Sequence, residues 1–407
     1  MKNKLLCLGL LIIMSFIGFR CASGPSQQEL ELERKALQEA EERKKAEQEM
    51  AIKIALSNAM EYYKNQQYND AIRNFRAVID SFDQNNEIAY KYIADSYYRA
   101  GRKDEAIRAY KEAIEKYPEK AFLYRGLAYL YLQNEMDEEA YSMFAKSVEL
   151  DTTDNLSYQA LSNLCTKQGE IDSALFYAEQ AFCYDSTNES LNRTLIRFYE
   201  RKRDRENLAF ALETLLELNP DDNEALLQLG KTYAELEELD TAQTILQKYI
   251  DRVPDDPSGH HTLGLTYYYA GNYSNALESL KRANSLNPDD PKILCDMGLV
   301  HIELKNYNTA LDLANSALSK KDNYGYAYLL TGSIYEGKGF DLVKEDGVLP
   351  YEGKLEFEKA VNEYKKALRD PDWSKQAQNK IEYLAEYLPS DEEKKIKQFL
   401  EEGRQER

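Results

Sequence analysis

From residue 52 onward, small, aromatic and apolar positions recur every 34 residues. Small residues align at Ala94, Ala128, Ser162, Gly230, Gly264, Gly298 and Gly332, with Ile196 as the bulky member of the series. Three residues further on stand Tyr97, Tyr131, Cys165, Tyr199, Tyr233, Tyr267, His301 and Tyr335. A second small register holds Ala106, Ala140, Ala174, Leu208, Ala242, Ala276 and Ala310. A third holds Pro118, Pro220, Pro254 and Pro288, where Thr152, Ser186 and Asp322 substitute. With one extra residue, Ala59, Tyr62, Ala71 and Phe75 add a unit upstream. Outside the repeat, Leu5 to Phe19 carries no charge, and residues 26–50 are almost all Gln, Glu, Lys, Arg and Ala. Glu31/Lys35, Glu39/Arg43 and Glu41/Lys45 place the acid four residues ahead of the base, which supports a solvated helix. Near the other end, Ile381, Leu384, Ala385 and Leu388 form one apolar face, and Pro389-Ser390-Asp391 opens a further helix.

The period and registers resemble the tetratricopeptide repeat (TPR). The resemblance implies an all-α fold, a TPR α-solenoid: a right-handed superhelix of helix-turn-helix repeats. Two antiparallel helices cross closely within a unit, and a small side chain on each permits the approach. The tyrosine fills the space beside it, and the proline, unable to continue a helix, turns the chain into the next unit. The expected organisation is a signal peptide at 1–20 and a lipid-attachment site with a charged helical spacer at 21–50. About nine units follow over 52–372, with an insertion near 336–356. Capping helices and a polar tail complete the chain over 373–407, because a stack of like units needs an end with a polar outer face.

Composition narrows the function. The chain of 407 residues has a formal net charge of −19, which argues against a nucleic-acid backbone binder. Much of its 32 Tyr is accounted for by the repeat. Three His and five scattered Cys leave little for a metal centre or a disulfide framework. Gly337-Lys338-Gly339 lacks the Ser or Thr of a phosphate loop, and His260 and His261 are adjacent, so they point to different helix faces. His260, His301 and Cys165 fall at core registers, whereas Cys295 falls at a groove-facing one. No catalytic residue, cofactor or metal ligand is expected, and the chain is read as a non-enzymatic protein–protein interaction scaffold.

In proteins with this repeat, partners usually lie against the first helix of each unit. That register supplies Ile88, Lys91, Asp95, Tyr98, Arg99, Phe122, Arg125, Tyr129 and Leu132 in the second and third units. The fifth supplies Arg193, Arg197 and Arg201, three guanidiniums at four-residue spacing. The seventh and ninth supply His261, Leu265, Tyr268, Tyr269 and Tyr326. The candidate partner-binding residues are Lys91, Arg99, Arg125, Tyr129, Arg193, Arg197, Arg201, Tyr268 and Tyr269. A rigid Arg fork suits carboxylates, so the expected partner is a protein or peptide with acidic groups. Pairing of the arginines with neighbouring acids is the alternative. The carboxylate clamp of chaperone-tail-binding relatives is not matched, since Asp95 and Tyr129 stand in its place. The 336–356 insertion reads either as a functional loop or as an exposed linker. An assembly or oligomerisation role through end or convex faces is the alternative to a groove ligand.

At the N-terminus, Lys2 and Lys4, the uncharged stretch and Cys21-Ala22-Ser23 resemble a bacterial lipoprotein signal. In that family the Cys is acylated and becomes the mature N-terminus. Gly18 fits the third position upstream, and Arg20 stands where the family carries a small residue. Ala22 rather than Asp after the Cys implies the outer membrane, facing the periplasm, with envelope assembly, secretion or cell-wall machinery as settings. Ordinary cleavage after Ser23, giving a soluble periplasmic or secreted protein, and an uncleaved anchor are the alternatives. Palmitate labelling of the wild type is expected to disappear in Cys21→Ser; unchanged labelling removes the lipoprotein reading.

Overall fold

The computed structural model describes residues 26–81 and 86–405. Cys21 and the signal segment lie outside the described residues. The chain divides into two compact units at 184/185. In the first unit, α1 (Gln27–Lys64) pairs with α2 (Tyr68–Ser81), and α3 (Glu87–Arg99) with α4 (Lys103–Lys116). Then α5 (Ala121–Gln133) pairs with α6 (Asp137–Leu150), and α7 (Asn155–Gln168) with α8 (Ile171–Tyr184). The second unit opens with α9 (Glu189–Lys202) on α10 (Arg205–Leu218), α11 (Asn223–Glu235) on α12 (Leu239–Arg252), and α13 (Pro257–Tyr269) on α14 (Tyr273–Leu286). It continues with α15 (Pro291–Glu303) on α16 (Tyr307–Lys320) and α17 (Gly325–Asp341) on α18 (Tyr351–Ala367). Helix α19 (Ser374–Leu384), a 3-10 turn and α20 (Asp391–Gln405) complete it.

Most hairpins close on a large side chain set against a small one. Tyr110, Phe144, Leu212, Leu246 and Leu280 share one register of the second helices and are at most 2 % exposed. Against them lie the small residues of the first helices. A Cβ added to Gly264 would stand 2.7 Å from Leu280 Cγ, and one on Gly230 2.7 Å from Leu246 Cγ. At Ser162 the approach is close enough for its hydroxyl to donate to the Ala174 carbonyl at 2.8 Å. Where the second-helix residue shrinks to Ala314, Leu330 of the next hairpin fills the space over Gly298 instead. In the α9/α10 hairpin Ile196 and Leu208 occupy the small registers; both are buried, and its helices make the sparsest contact of any hairpin.

The turns repeat as strictly as the core. A residue one or two places after the first helix has positive φ at Gly101, Glu135, Gly169, Arg203, Glu237, Gly271 and Lys305, each 34 residues after the last. Asp or Asn caps the following first helix at Asn86, Asp154, Asn188, Asp222, Asp256 and Asp290, each accepting a backbone N–H of its first turn. The Asn-Pro-Asp-Asp runs are thus a stop followed by a cap.

Helix α1 carries the charged spacer straight into the first repeat, running unbroken from Gln27 to Lys64. Two sequence expectations change. The 336–356 insertion is not mainly a loop. It lengthens α17 and α18 to 17 residues each, leaving residues 342–350 between them. Cys295 does not face a groove: it is fully buried in the core, and burial raises its thiol pKa.

Gly264→Ala forces a buried leucine to move, so it is expected to lower unfolding stability by about 1–3 kcal/mol with little change in the denaturant slope. A urea midpoint equal to that of the wild type would contradict the packing described.

Candidate partner-binding clefts

Clefts open along the first-helix faces of both units. In the first unit a cleft of about 400 Å³ is lined by Lys91, Asp95 and Arg99 of α3 and by Phe122, Arg125 and Tyr129 of α5. Four candidate residues therefore meet in one place. Their charges are used internally. Lys91 Nζ pairs with Asp95 at 2.8 Å, and the Tyr110 hydroxyl donates to the same carboxylate. Arg99 Nε donates to the Tyr63 hydroxyl at 2.6 Å. Arg125 pairs with Asp154, the cap of α7, which also accepts from the hydroxyls of Ser157 at 2.6 Å and Ser147 at 2.8 Å. Burial alone would raise the Asp154 carboxyl, but the two serines and the guanidinium hold it below the usual carboxylate range. Apolar groups remain open: Ile88 is 48 % exposed, and Tyr129, edge-on to Phe144, is 39 % exposed. A second cleft of about 260 Å³ continues from Tyr129 to Leu132, Leu156 and Lys167.

In the second unit, Arg193 and Arg197 line a cleft of about 390 Å³ with Ile196, Glu200 and Gln228. Arg193 is committed: it holds Glu189 at 2.8 Å and Asp222, the cap of α11. The pair repeats that of Arg125 with Asp154, so an Arg at the fifth position of a first helix ties down the cap of the next one. Sequence reasoning placed both arginines on the groove face; for Arg193 the alternative of pairing with a neighbouring acid holds, and what the sequence reading did not name is the helix-cap partner, whose signal is an Asp 29 residues further on. Arg197 donates to Thr194 at 3.1 Å and, like Arg201, is exposed. Among the described residues neither pairs with a carboxylate.

A larger cleft, about 800 Å³, is lined by Lys231, His261, Leu265, Tyr269 and Lys292. Tyr269 is 68 % exposed. Tyr268 does not line this cleft; its hydroxyl approaches Glu303 at 3.4 Å, and burial, then that carboxylate, push its pKa up to about 12. Tyr326, expected on the groove face, is buried under Trp373. His260 is half-buried rather than core, and its Nε2 lies 3.0 Å from the Pro254 carbonyl, the contact that Tyr124 makes to Pro118 four repeats earlier. His301 is partly buried with Nδ1 unpartnered; burial, then Lys281, lower its pKa. No helix among the described residues is long and apolar enough to cross a membrane.

Comparison with known proteins agrees with this architecture. Family models described as "Tetratricopeptide repeat" match residues 93–155 and 209–264, and one described as "TPR repeat" matches 264–305. Superkiller complex protein 3 of Mus musculus is 32 % identical over 80 residues, 20 % of this chain and 5 % of that protein. TPR repeat-containing protein YpiA of Bacillus subtilis (strain 168) is 23 % identical over 188 residues, 46 % of this chain and 44 % of that protein. The chain thus spans less than half the length of these relatives. The crystal structure of YrrB, described as a TPR protein with an unusual peptide-binding site, is 27 % identical. It covers 44 % of this chain and 93 % of its own, with a TM-score of 0.36. Residues 93–155 and 209–305 thus carry tetratricopeptide repeats, and the fold is an all-α TPR α-solenoid.

The Asp154 cluster has a signed pH dependence. A carboxyl whose folded pKa is depressed stabilises the fold above its unfolded value, and the contribution is lost as pH falls through the folded value. Asp154→Asn is expected to cost about 1–3 kcal/mol at pH 7, with the difference from wild type shrinking below about pH 4. Urea titrations across that range check it; a difference that grows on acidification would contradict the assignment.

Proposed function

We propose that the chain is a non-enzymatic interaction scaffold that binds a protein or peptide partner along the first-helix faces of its repeats. The observation that carries this reading is the placement of the clefts. In both units they open on the same helical registers; Tyr129 and Tyr269 stand exposed beside cations in three of them, and Arg197 stands exposed in the arginine cleft. Rigid hairpins hold these groups in place before a partner arrives, so little ordering entropy is lost on docking. Arg197 and Arg201 serve as anchors for acidic groups, while Ile88, Tyr129 and Leu156 offer apolar contact. We further propose export, with acyl chains on Cys21 holding the protein at the outer membrane facing the periplasm. The solvated first half of α1 supports a spacer role, since residues 27–50 are exposed throughout.

A second reading, assembly through other faces, is favoured by rings exposed on second helices. Phe176 of α8 is 53 % exposed and Phe210 of α10 is 63 % exposed. Sedimentation of the purified chain at low micromolar concentration separates the two, because a stable oligomer supports assembly.

Reversing charge in Arg197→Glu/Arg201→Glu is expected to weaken capture of the native partner by about tenfold or more while leaving the helical circular-dichroism signal intact. Full capture by the folded double variant removes the arginine cleft from the binding surface.

A further inference from the structure

The last two helices are attached to the second unit in different ways. Helix α19 is held by packing as well as by charge. Trp373, just ahead of it, stacks on Tyr326 at 4.2 Å and 7°, and Ala377 and Leu384 are fully buried. Lys380 Nζ donates to both oxygens of the Glu336 carboxylate at 3.0 Å. Glu336 is itself 8 % exposed and also accepts from the buried Tyr364 hydroxyl. Asp370 accepts the Gly325 N–H at 2.8 Å. The chain stays tied down through Tyr387, whose ring meets Phe340 and Phe357, as far as the buried Pro389.

Beyond Pro389 the attachment changes. Helix α20 lies against α18 through three ion pairs. Lys354 Nζ meets Glu393 at 2.7 Å, Lys394 Nζ meets Glu358 at 2.6 Å, and Lys397 Nζ meets Glu352 at 3.0 Å. All six side chains are at least 25 % exposed. The Lys397 ammonium also stands 5.5 Å from the centre of the Tyr351 ring. Over residues 391–398 the one apolar side chain is Ile396, and it is 55 % exposed. Docking along this stretch therefore lacks the apolar burial that normally secures a helix, and charge takes its place.

The charges fix one register. A slip of α20 by one turn would set Lys397 against Lys354, like against like. Helix α20 also starts independently of the rest. The Ser390 N–H donates to Glu393 Oε2 at 2.8 Å and the Glu393 N–H to Ser390 Oγ at 3.2 Å, a capping box, while Glu393 Oε1 serves Lys354.

We propose that α20 is a releasable strap over α18, docked by this charge register, hinged at Ser390 and freed when its ion pairs are screened or competed for. Salt shortens the reach of exposed charges from about 30 Å at 0.01 M to about 3 Å at 1 M, whereas the buried contacts of α19 are far less affected. Release uncovers the Tyr351 ring and leaves α19 as the end of the stack. Ionic conditions, or a partner that brings its own charges to α18, thereby set whether this side of the last hairpin is open.

Amide hydrogen exchange of the full chain reads the strap directly, because a helix of this length is marginal once detached and its amides then exchange. Between about 0.01 M and about 1 M NaCl, exchange over α20 is expected to speed up about tenfold, while exchange over α19 changes little. Lys394→Glu/Lys397→Glu is expected to exchange fast over α20 already at low salt and to lose the salt dependence. Adding Glu352→Lys/Glu358→Lys to that variant re-forms two pairs with their signs exchanged and is expected to restore slow exchange at low salt. The sequence of α20 is the same in both variants, so recovery reports the pairs and not the intrinsic helicity of the segment. Slow exchange over α19 in each variant shows that the rest is folded. Protection of α20 that ignores salt, absence of protection at low salt, or failure of the exchanged pairs to recover it overturns the strap.

Discussion

The close crossing of two helices within each hairpin is the constraint on which the structure depends. It calls for a glycine, alanine or serine at the crossing register of the first helix, kept in every hairpin except α9/α10, where Ile196 takes the place. Interiors are packed as densely as organic crystals, so the approach has little slack. The compensation of Ala314 by Leu330 shows the same volume filled from a different helix. Everything on the outer side of the first helices inherits its position from this contact, including the cations and rings that line the clefts. The α9/α10 hairpin, with two bulky residues at the crossing, is the sparsest in contact and borders the arginine cleft.

Much of the fold was legible because crossing and turning each demand a residue type at a fixed spacing. The alanine and glycine registers, the tyrosines and the prolines all marked helix crossings or ends. The left-handed turn position was not read, although it recurs with equal regularity. Only Gly101, Gly169 and Gly271 announce it, while Glu135, Arg203, Glu237 and Lys305 accept the same backbone and hide it. Conversely, the 336–356 insertion reads in the sequence as a loop or linker, yet Gly339 and Gly353 lie in helices where Phe357 and Leu349 would meet an added Cβ. Glycine there serves close packing rather than turning.

The candidate site was legible as a face and not as a set of free groups. Periodicity tells which side of a helix a residue occupies. It does not tell whether a neighbouring element brings an acid to it. Arg193 and Arg125 looked like anchors and are ties to helix caps. Cys295 and Tyr326 occupied groove registers by count but are covered, Tyr326 by Trp373 from the C-terminal segment. An end cap has no repeat partner from which its contacts can be anticipated.

Side-chain footprinting by hydroxyl radicals, with and without the captured native partner, asks directly whether first-helix faces are where another molecule is held. Tyr129 and Tyr269 project there, and Phe176 and Phe210 project from second helices, all of them exposed in the free protein. Loss of reactivity at the two tyrosines with the phenylalanines unchanged is the result expected. Protection of Phe176 or Phe210 with the tyrosines still reactive would contradict the account.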